Sequence, residues 1–453
     1  MKTIPSVSTV PLLQCLQWIF DPLGYLETNA RRYGDLFIGD VLPGPSGPLV
    51  FVSHPEALQQ ILSQDNTERL TAPGEANQLL EPLLGANSLI LLSGKLHRRR
   101  RRLIMPPFHG DRLTHYASLI TEITAATLRE IPPERPFSVR PLMQKITMRV
   151  ILQVVFGLYQ GDRYEQLESL LAERLDLLSS PLASATIFWP VLQRDFGSWS
   201  LGHRIQQLKA DTDALIYAEV RDRRAHPDGD RTDVLSLLLA ATDEAGQGLT
   251  DDELHDELMT LLFAGHETTA TTLTWAVYWL SSQPEIGEKL TAEVRSLPET
   301  AERLTVNRLP YLSAFCNETL RIYPVAMLTF PRRAEQPLEI MGYQIEPGML
   351  LMGCIYATHH RDDLYPQSQD FRPDRFLERQ FSSYEFIPFG AGSRRCVGAA
   401  LAQLELKLIL RTLLAAYSPT LLNQKTIKPT RRGVTLGPTD VRVKLVEARS
   451  GAI

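Results

Sequence analysis

Cysteine is scarce in this chain and nowhere paired. Four cysteines in 453 residues, Cys15, Cys316, Cys354 and Cys396, stand far apart with no C-x-x-C among them. That spacing excludes a zinc ribbon or a disulfide framework and points to a reducing cytoplasm. Long apolar runs are missing as well. The stretch from Val10 to Phe20 is broken by Pro11, Gln14 and Gln17 and falls short of the ~20 residues that span a bilayer; no small-residue cleavage site follows a basic segment. The expectation is no transmembrane anchor, with Leu12, Leu13, Leu16, Trp18, Ile19 and Phe20 packed on the body of the protein in preference to a membrane surface. No Gly/Ser-rich linker, acidic tract or internal repeat divides the sequence, so residues 1–453 read as a single domain. Positive charge is in the minority, 47 basic against 52 acidic residues for a net −5, which argues against nucleic acid as a partner.

What is present is mostly helical pattern. A helix is expected around Pro22–Tyr33, then strands at Leu36–Gly39 and Leu49–Ser53 across the P-G-P-S-G-P turn cluster at Pro43–Pro48, then almost uninterrupted helical signal from Pro55 to Pro298. Short β-rich runs at Leu338–Met341, Tyr343–Ile345 and Met349–Ile355 are separated by Gly342 and by Pro347-Gly348. Pro366 to Pro388 reads as an ordered, irregular meander. The expected class is mainly α with a minor β part, its small sheets near 36–53 and 333–358.

The most informative segment is F-G-A-G-S-R-R-C-V-G, Phe389 to Gly398. Gly390, Gly392 and Gly398 allow positive φ and close backbone approach around Cys396. The apolar run that follows, Leu401 to Leu414, predicts a helix whose N-terminus lies near the sulfur. Both features are expected to lower the thiol pKa. A dinucleotide fingerprint fails because Arg395 stands where glycine is needed, and a Walker A loop lacks its G-K-[ST] ending. A buried structural cysteine is the alternative. With Phe389, Gly392, Arg394, Cys396 and Gly398 matching F-x-x-G-x-R-x-C-x-G, the segment resembles the cytochrome P450 family of haem-thiolate monooxygenases. The resemblance implies haem b held between a long central helix and the cysteine loop, with Cys396 as the iron ligand and Phe389 beside it. A thiolate ligand there favours O–O cleavage.

That long helix is legible on its own. Thr250 and Glu253 form a capping box and no proline follows until Pro284, so one helix of about 33 residues is expected. Its middle reads Ala264-Gly265-His266-Glu267-Thr268-Thr269, where glycine and successive hydroxyl residues predict a local widening. A zinc-protease H-E-x-x-H fails at Ala270; small residues at a tight helix crossing are the structural alternative. The segment is similar to the family's [AG]-G-x-[DE]-[TS] motif, which implies that Thr268 hydrogen-bonds dioxygen and Glu267 relays protons, with Thr269 and Ala264 beside them.

Order gives weight to weaker signals. Glu318 and Arg321 are spaced i,i+3 on one helix face and can pair. With Arg375 they match the family's Glu-Arg-Arg triad, a structural tie between helix, meander and cysteine loop. The resemblance further implies propionate contacts from His97, where many members have Trp, and from Arg101, Arg394 and Arg332, with Arg333 as the competitor of Arg332. The run Arg98–Arg102 is a candidate dock for an external acidic ferredoxin or flavodoxin with its reductase, since no flavin or iron–sulfur segment is expected in the chain. Substrate contacts are expected from Ala72–Leu92, Leu175–Trp199, the middle of the long helix and Val325–Phe330, among them Phe263, Ala264, Met327 and Leu328. Their apolar character implies a fatty acid or terpenoid, and the chain looks nearest to the cyanobacterial branch. The expected activity is O2-dependent hydroxylation. A peroxygenase or hydroperoxide isomerase on the same scaffold, and a non-catalytic haem sensor, are the alternatives that Glu267 and Thr268 speak against.

Overall fold

The computed structural model describes residues 2–41, 48–65, 67–132, 134–179, 194–298, 301–433 and 435–447. Its axle is the helix Asp251–Ser282, 32 residues and roughly 48 Å at 1.5 Å per residue. The capping box forms as expected: Thr250 Oγ1 accepts the Glu253 N–H at 3.2 Å, and the Glu253 carboxylate accepts the Thr250 N–H at 3.0 Å. Residues on almost every face of this helix are buried. It packs against the helices Val139–Phe156, Leu201–Ala225, Pro310–Ile322 and Ala399–Ala416, and these share one large apolar core. The expected widening is absent, because the helix runs as α throughout. Thr268, Thr272 and Thr274 each donate to the carbonyl four residues back, at 2.6, 2.9 and 2.7 Å. Their hydroxyls are satisfied without opening the ladder.

The two β-rich regions turn out to be halves of one sheet. Its strand order is Leu36–Gly39, Leu49–Val52, Leu350–Gly353, Arg332–Ala334 and Leu70–Thr71. The central pairing is parallel, Leu49 opposite Leu350, and the others are antiparallel, with Leu36 opposite Val52 and Arg332 opposite Leu351. Leu338–Ile340 and Tyr343–Ile345 form a separate hairpin. Ile355 begins a short helix and does not extend the strand. Two further sheets near the C-terminal end, Phe137–Ser138 with Arg442–Glu447 and Tyr417–Leu421, and Pro429–Arg432 with Thr435–Pro438, carried too short a period to be read from sequence. The turn cluster at 42–47 lies outside the described residues.

The N-terminal helix Pro11–Phe20 corrects one expectation. Only Gln14 and Trp18 face inward, and Trp18 packs on Tyr25 and Phe51 with ring centroids 5.9 and 6.0 Å away. Leu12, Leu13, Leu16 and Phe20 stay 70, 57, 36 and 80% exposed, because an i,i+4 stripe one residue wide cannot also bury its neighbours. Among the described residues no helix is long and apolar enough to cross a membrane.

Candidate active site

The cysteine loop is closed by the Cys396 N–H donating to Phe389 O at 2.9 Å, so the phenylalanine and the sulfur sit at the two ends of one turn. Gly390 and Gly392 have φ of +65° and +70°. At Gly392 a Cβ would run into Leu62 O and the Asp65 carboxylate, which makes glycine obligatory there. Gly398 has φ −85°, so its expected left-handed backbone is not found; its N–H instead points at the sulfur. Burial raises the free Cys396 thiol above its usual range against the pull of that N–H, Arg101 and Arg395. This reverses the expected lowering, because desolvation outweighs the helix and amide contributions. Yet Cys396 is solvent-accessible. A group that is both desolvated and accessible lines an internal space.

The long helix shows the same signature. Between Leu258 and Tyr278 every residue is buried except Leu261, Phe263, Ala264, Gly265 and Thr268. Apart from Phe263 these fall at i, i+3, i+4 and i+7, one stripe open to the interior. Thr268 is on it; Glu267 is not. The Glu267 carboxylate accepts from Arg140 at 2.7 Å and Thr271 at 3.3 Å, with Gln144 at 3.4 Å. The acid therefore faces the helix Val139–Phe156 and not the Thr268 hydroxyl. The roughly 100° between neighbouring helical residues produces this split. His266 also turns to that helix and pairs with Thr147 at 2.8 Å. A Cβ on Gly265 would meet Ile151 at 2.8 Å, so the glycine serves the tight crossing while Ala264 keeps the stripe low.

The Glu–Arg–Arg group is assembled and fully buried. Arg321 grips Glu318 with two nitrogens at 2.7 and 2.8 Å, and Arg375 Nε adds a bond at 3.1 Å. The Arg372 N–H supplies another at 2.7 Å. Both guanidinia then donate to backbone carbonyls, Arg321 to His359 and, in the meander, to Ser368 and Asp370, Arg375 to Pro366, Gln367 and Asp370 there. His359 extends the tie: burial holds its imidazole neutral. One ring nitrogen contacts Arg321 O, and the other accepts the Ile387 N–H, two residues before Phe389.

The cations expected at the propionates converge, since His97 feels Arg394, Arg101, Arg332 and Arg98. They differ in availability. Arg332 is fully buried and spends its donors on Asp65, Phe330 O and Ala391 O. Arg394 donates to Leu89, Ala72 and Leu92 carbonyls. Arg333 points outward to Glu75 at 3.0 Å. Neither His97 nor Arg101 has a side-chain hydrogen bond or ion pair among the described residues. Burial and the surrounding arginines push His97 down to about 3, so its ring is neutral. The arginine run is also less free than expected. Arg100 is buried against Glu253 and Glu257 of the long helix, Arg99 pairs with Asp243 and Arg102 with Glu244.

Phe263 and Leu262 line a narrow apolar crevice with Leu83, Met148, Leu171, Arg174 and Met259, on the face of the long helix turned away from Thr268, so it does not extend the stripe. Met327 does not join it. It is 3% exposed in the cluster of Trp18, Tyr25 and Phe51, with Leu328 packed on that cluster; Ala326 is the exposed residue of this stretch. Most of the expected stretch Leu175–Trp199, residues 180–193, lies outside the described residues. Sequence reasoning missed Asp65, which holds Ser393 N–H at 2.9 Å as well as Arg332, and Arg140, His359 and Arg174. Only Arg174 left a signal, a charge on the apolar stripe of Leu167 and Leu171.

These residues fit an iron porphyrin: an accessible, enclosed sulfur for the metal, a low helical stripe for a flat ring, and unpartnered Arg101 and His97 for carboxylates. The comparisons agree. The Cytochrome P450 family model matches residues 5–445. "Putative cytochrome P450 135B1" of Mycobacterium tuberculosis is 36% identical over 92% of this chain and 85% of its own. "Putative cytochrome P450 138" of Mycobacterium bovis is 33% identical over 96% and 94%. The solved structure of retinoic-acid-bound cyanobacterial CYP120A1 superposes with a TM-score of 0.84 at 25% identity, over 99% of this chain and 100% of the other. A cysteine loop, an open stripe on a buried helix and a Glu–Arg–Arg tie in this order, matched across nearly the whole length, make the chain a member of the cytochrome P450 family, a haem b monooxygenase.

Proposed function

We propose that the protein hydroxylates an apolar substrate, a long-chain fatty acid or a terpenoid, with O2 and electrons from a separate acidic ferredoxin or flavodoxin and its reductase in the cytoplasm. The observation that carries this reading is the interior stripe of Leu261, Ala264, Gly265 and Thr268, accessible inside an otherwise buried helix. Haem, when bound through Cys396, supplies oxygen activation. Arg101 and His97 hold its propionates, while Arg332 and Arg394, already engaged, stiffen the surrounding loops. Thr268 presents its hydroxyl to the reacting space and moves a proton there. Glu267 supplies protons only when its carboxylate leaves Arg140, so that ion pair sets when the acid is available.

An open concavity of about 550 Å³ lined by His97, Arg98, Arg101, Arg102, Met105, Pro106, His109 and Ser393 supports an acidic donor docking beside the cysteine loop. The retinoic acid bound by the cyanobacterial neighbour is a molecule of the proposed class. The test is the reduced, carbon-monoxide difference spectrum of the purified protein, followed by reduced-nicotinamide consumption with added ferredoxin and reductase. A long-wavelength Soret band lost in Cys396→Ser, with consumption stimulated by fatty acids or terpenoids, is expected. A short-wavelength band in the native protein at full haem loading would overturn the assignment of Cys396.

A further inference from the structure

His255 sits where three segments meet, and a carboxylate faces each of its ring nitrogens. It lies on the long helix and is 4% exposed. Its Nδ1 is 2.9 Å from Asp256 Oδ1 on the same helix, and its Nε2 is 3.1 Å from Asp213 Oδ1 on the helix Leu201–Ala225. The second contact lies off the N–H direction, so charge holds it and not hydrogen-bond alignment. Tyr217 of the same outer helix stacks flat on the imidazole at 4.5 Å and donates to Asp252 at 2.8 Å. Asp256 in turn accepts the Asn87 N–H at 2.8 Å and its side-chain amide at 3.0 Å, and lies so close to Gly85 that a Cβ there would strike the carboxylate. Lys209 pairs with Asp213, whose charge also reaches Arg174 on the helix Asp162–Ser179.

A neutral imidazole has one N–H and satisfies one of these carboxylates, while its bare nitrogen faces the other. A charged ring satisfies both. Burial disfavours charge on all three groups, yet their pairing outweighs it: His255 is raised above 6.5, and Asp213 and Asp256 are lowered below the usual carboxylate range. The joint is therefore complete below pH 6.5 and is lost as pH rises through the raised value. What it holds borders the site. From Asn87 the chain runs on to Leu89 and Leu92, whose carbonyls accept from Arg394, two residues before Cys396. Segment 87–92 thus reaches from the Asp256 carboxylate to the cysteine loop. An enclosed space admits a ligand only when its walls part.

We propose that His255 is a pH-sensitive latch. Charged, it binds the helix Leu201–Ala225 and segment 87–92 to the long helix and keeps the interior space closed; neutral, it releases one of them and ligands exchange faster. This goes beyond the substrate reading above and holds whatever the substrate is.

The experiment is amide hydrogen exchange of the haem-loaded protein from about pH 6 to 9, corrected for the intrinsic exchange rate, with the release rate of 4-phenylimidazole, a bulky ligand of haem iron, over the same range. Release, and exchange in segment 87–92 or residues 209–217, should be at least roughly tenfold faster at the upper pH, about what losing one charge-assisted hydrogen bond does. The helix Pro310–Ile322 should exchange equally at both ends. His255→Gln should be fast throughout with its carbon-monoxide spectrum unchanged, and Asp213→Asn, which leaves the ring one carboxylate, should move the midpoint to lower pH. Either readout staying flat with pH in the wild type, a comparison that needs no variant, overturns the inference. So does a pH response that persists in His255→Gln.

Discussion

Thr268 can be removed without disturbing the helix that carries it. Among the described residues its hydroxyl bonds only to Ala264 O, and alanine is the better helix former. In Thr268→Ala, haem content and the carbon-monoxide spectrum should match the wild type, while product formed per reduced nicotinamide falls at least roughly tenfold and peroxide rises. Unchanged coupling of electrons to product would remove Thr268 from proton handling. His266, two residues away, makes a different kind of prediction. Burial and the nearby Arg140 charge lower its pKa to about 3, so the folded protein keeps the ring neutral while the unfolded chain protonates it near 6.5. Below that pH the unfolded state gains a proton the folded state refuses, and stability drops toward acid until pH reaches about 3. Between pH 7 and 5.5 this amounts to about 1.3 kcal/mol for one such residue. Urea melts at the two pH values should show that loss in the wild type and a correspondingly smaller one in His266→Gln. Equal losses would mean that the imidazole titrates normally.

At the scale of elements, Glu318 joins three segments that are far apart in sequence. It holds Arg321 on its own helix, Arg375 and the Arg372 amide on the meander. Through Arg321 and His359 it reaches Ile387 at the edge of the cysteine loop. Glu318→Ala strands two buried cations and should cost ~3–5 kcal/mol. The expected product is a protein that fails to take up haem, read as the ratio of Soret to protein absorbance. A fully loaded Glu318→Ala variant with normal melting would show the triad to be dispensable. The triad could be read from residue order, because Glu318 and Arg321 share a helix face by spacing alone. His359 and Asp65 could not, since each acts through partners tens to hundreds of residues away and neither stands in a periodic position that singles it out. The widening expected at Gly265 failed for a local reason: the threonine hydroxyls bond back along an intact helix, and the glycine instead admits Ile151.

At the scale of the molecule, the charge balance of the arginine helix Gly94–Ile104 is set by what lies across from it. The acidic first turns of the long helix and the Asp243–Glu244 turn absorb Arg99, Arg100 and Arg102. Arg98 and the accessible part of Arg101 are left to face a partner or the cofactor. Legible in the sequence alone were the cysteine in its glycine loop, a capped long helix of about 33 residues, the E-x-x-R spacing and the mainly helical class, because each depends on neighbours within a few residues or on motif order. Only the tertiary structure decided that Glu267 turns to Arg140 and Thr268 to the interior, and that two distant strand regions share one sheet. It also decided that Met327 belongs to the core and that Arg174 is buried with no carboxylate paired to it among the described residues. These outcomes depend on the rotation of whole helices about their axes and on groups brought together from distant parts of the chain, which no local pattern encodes.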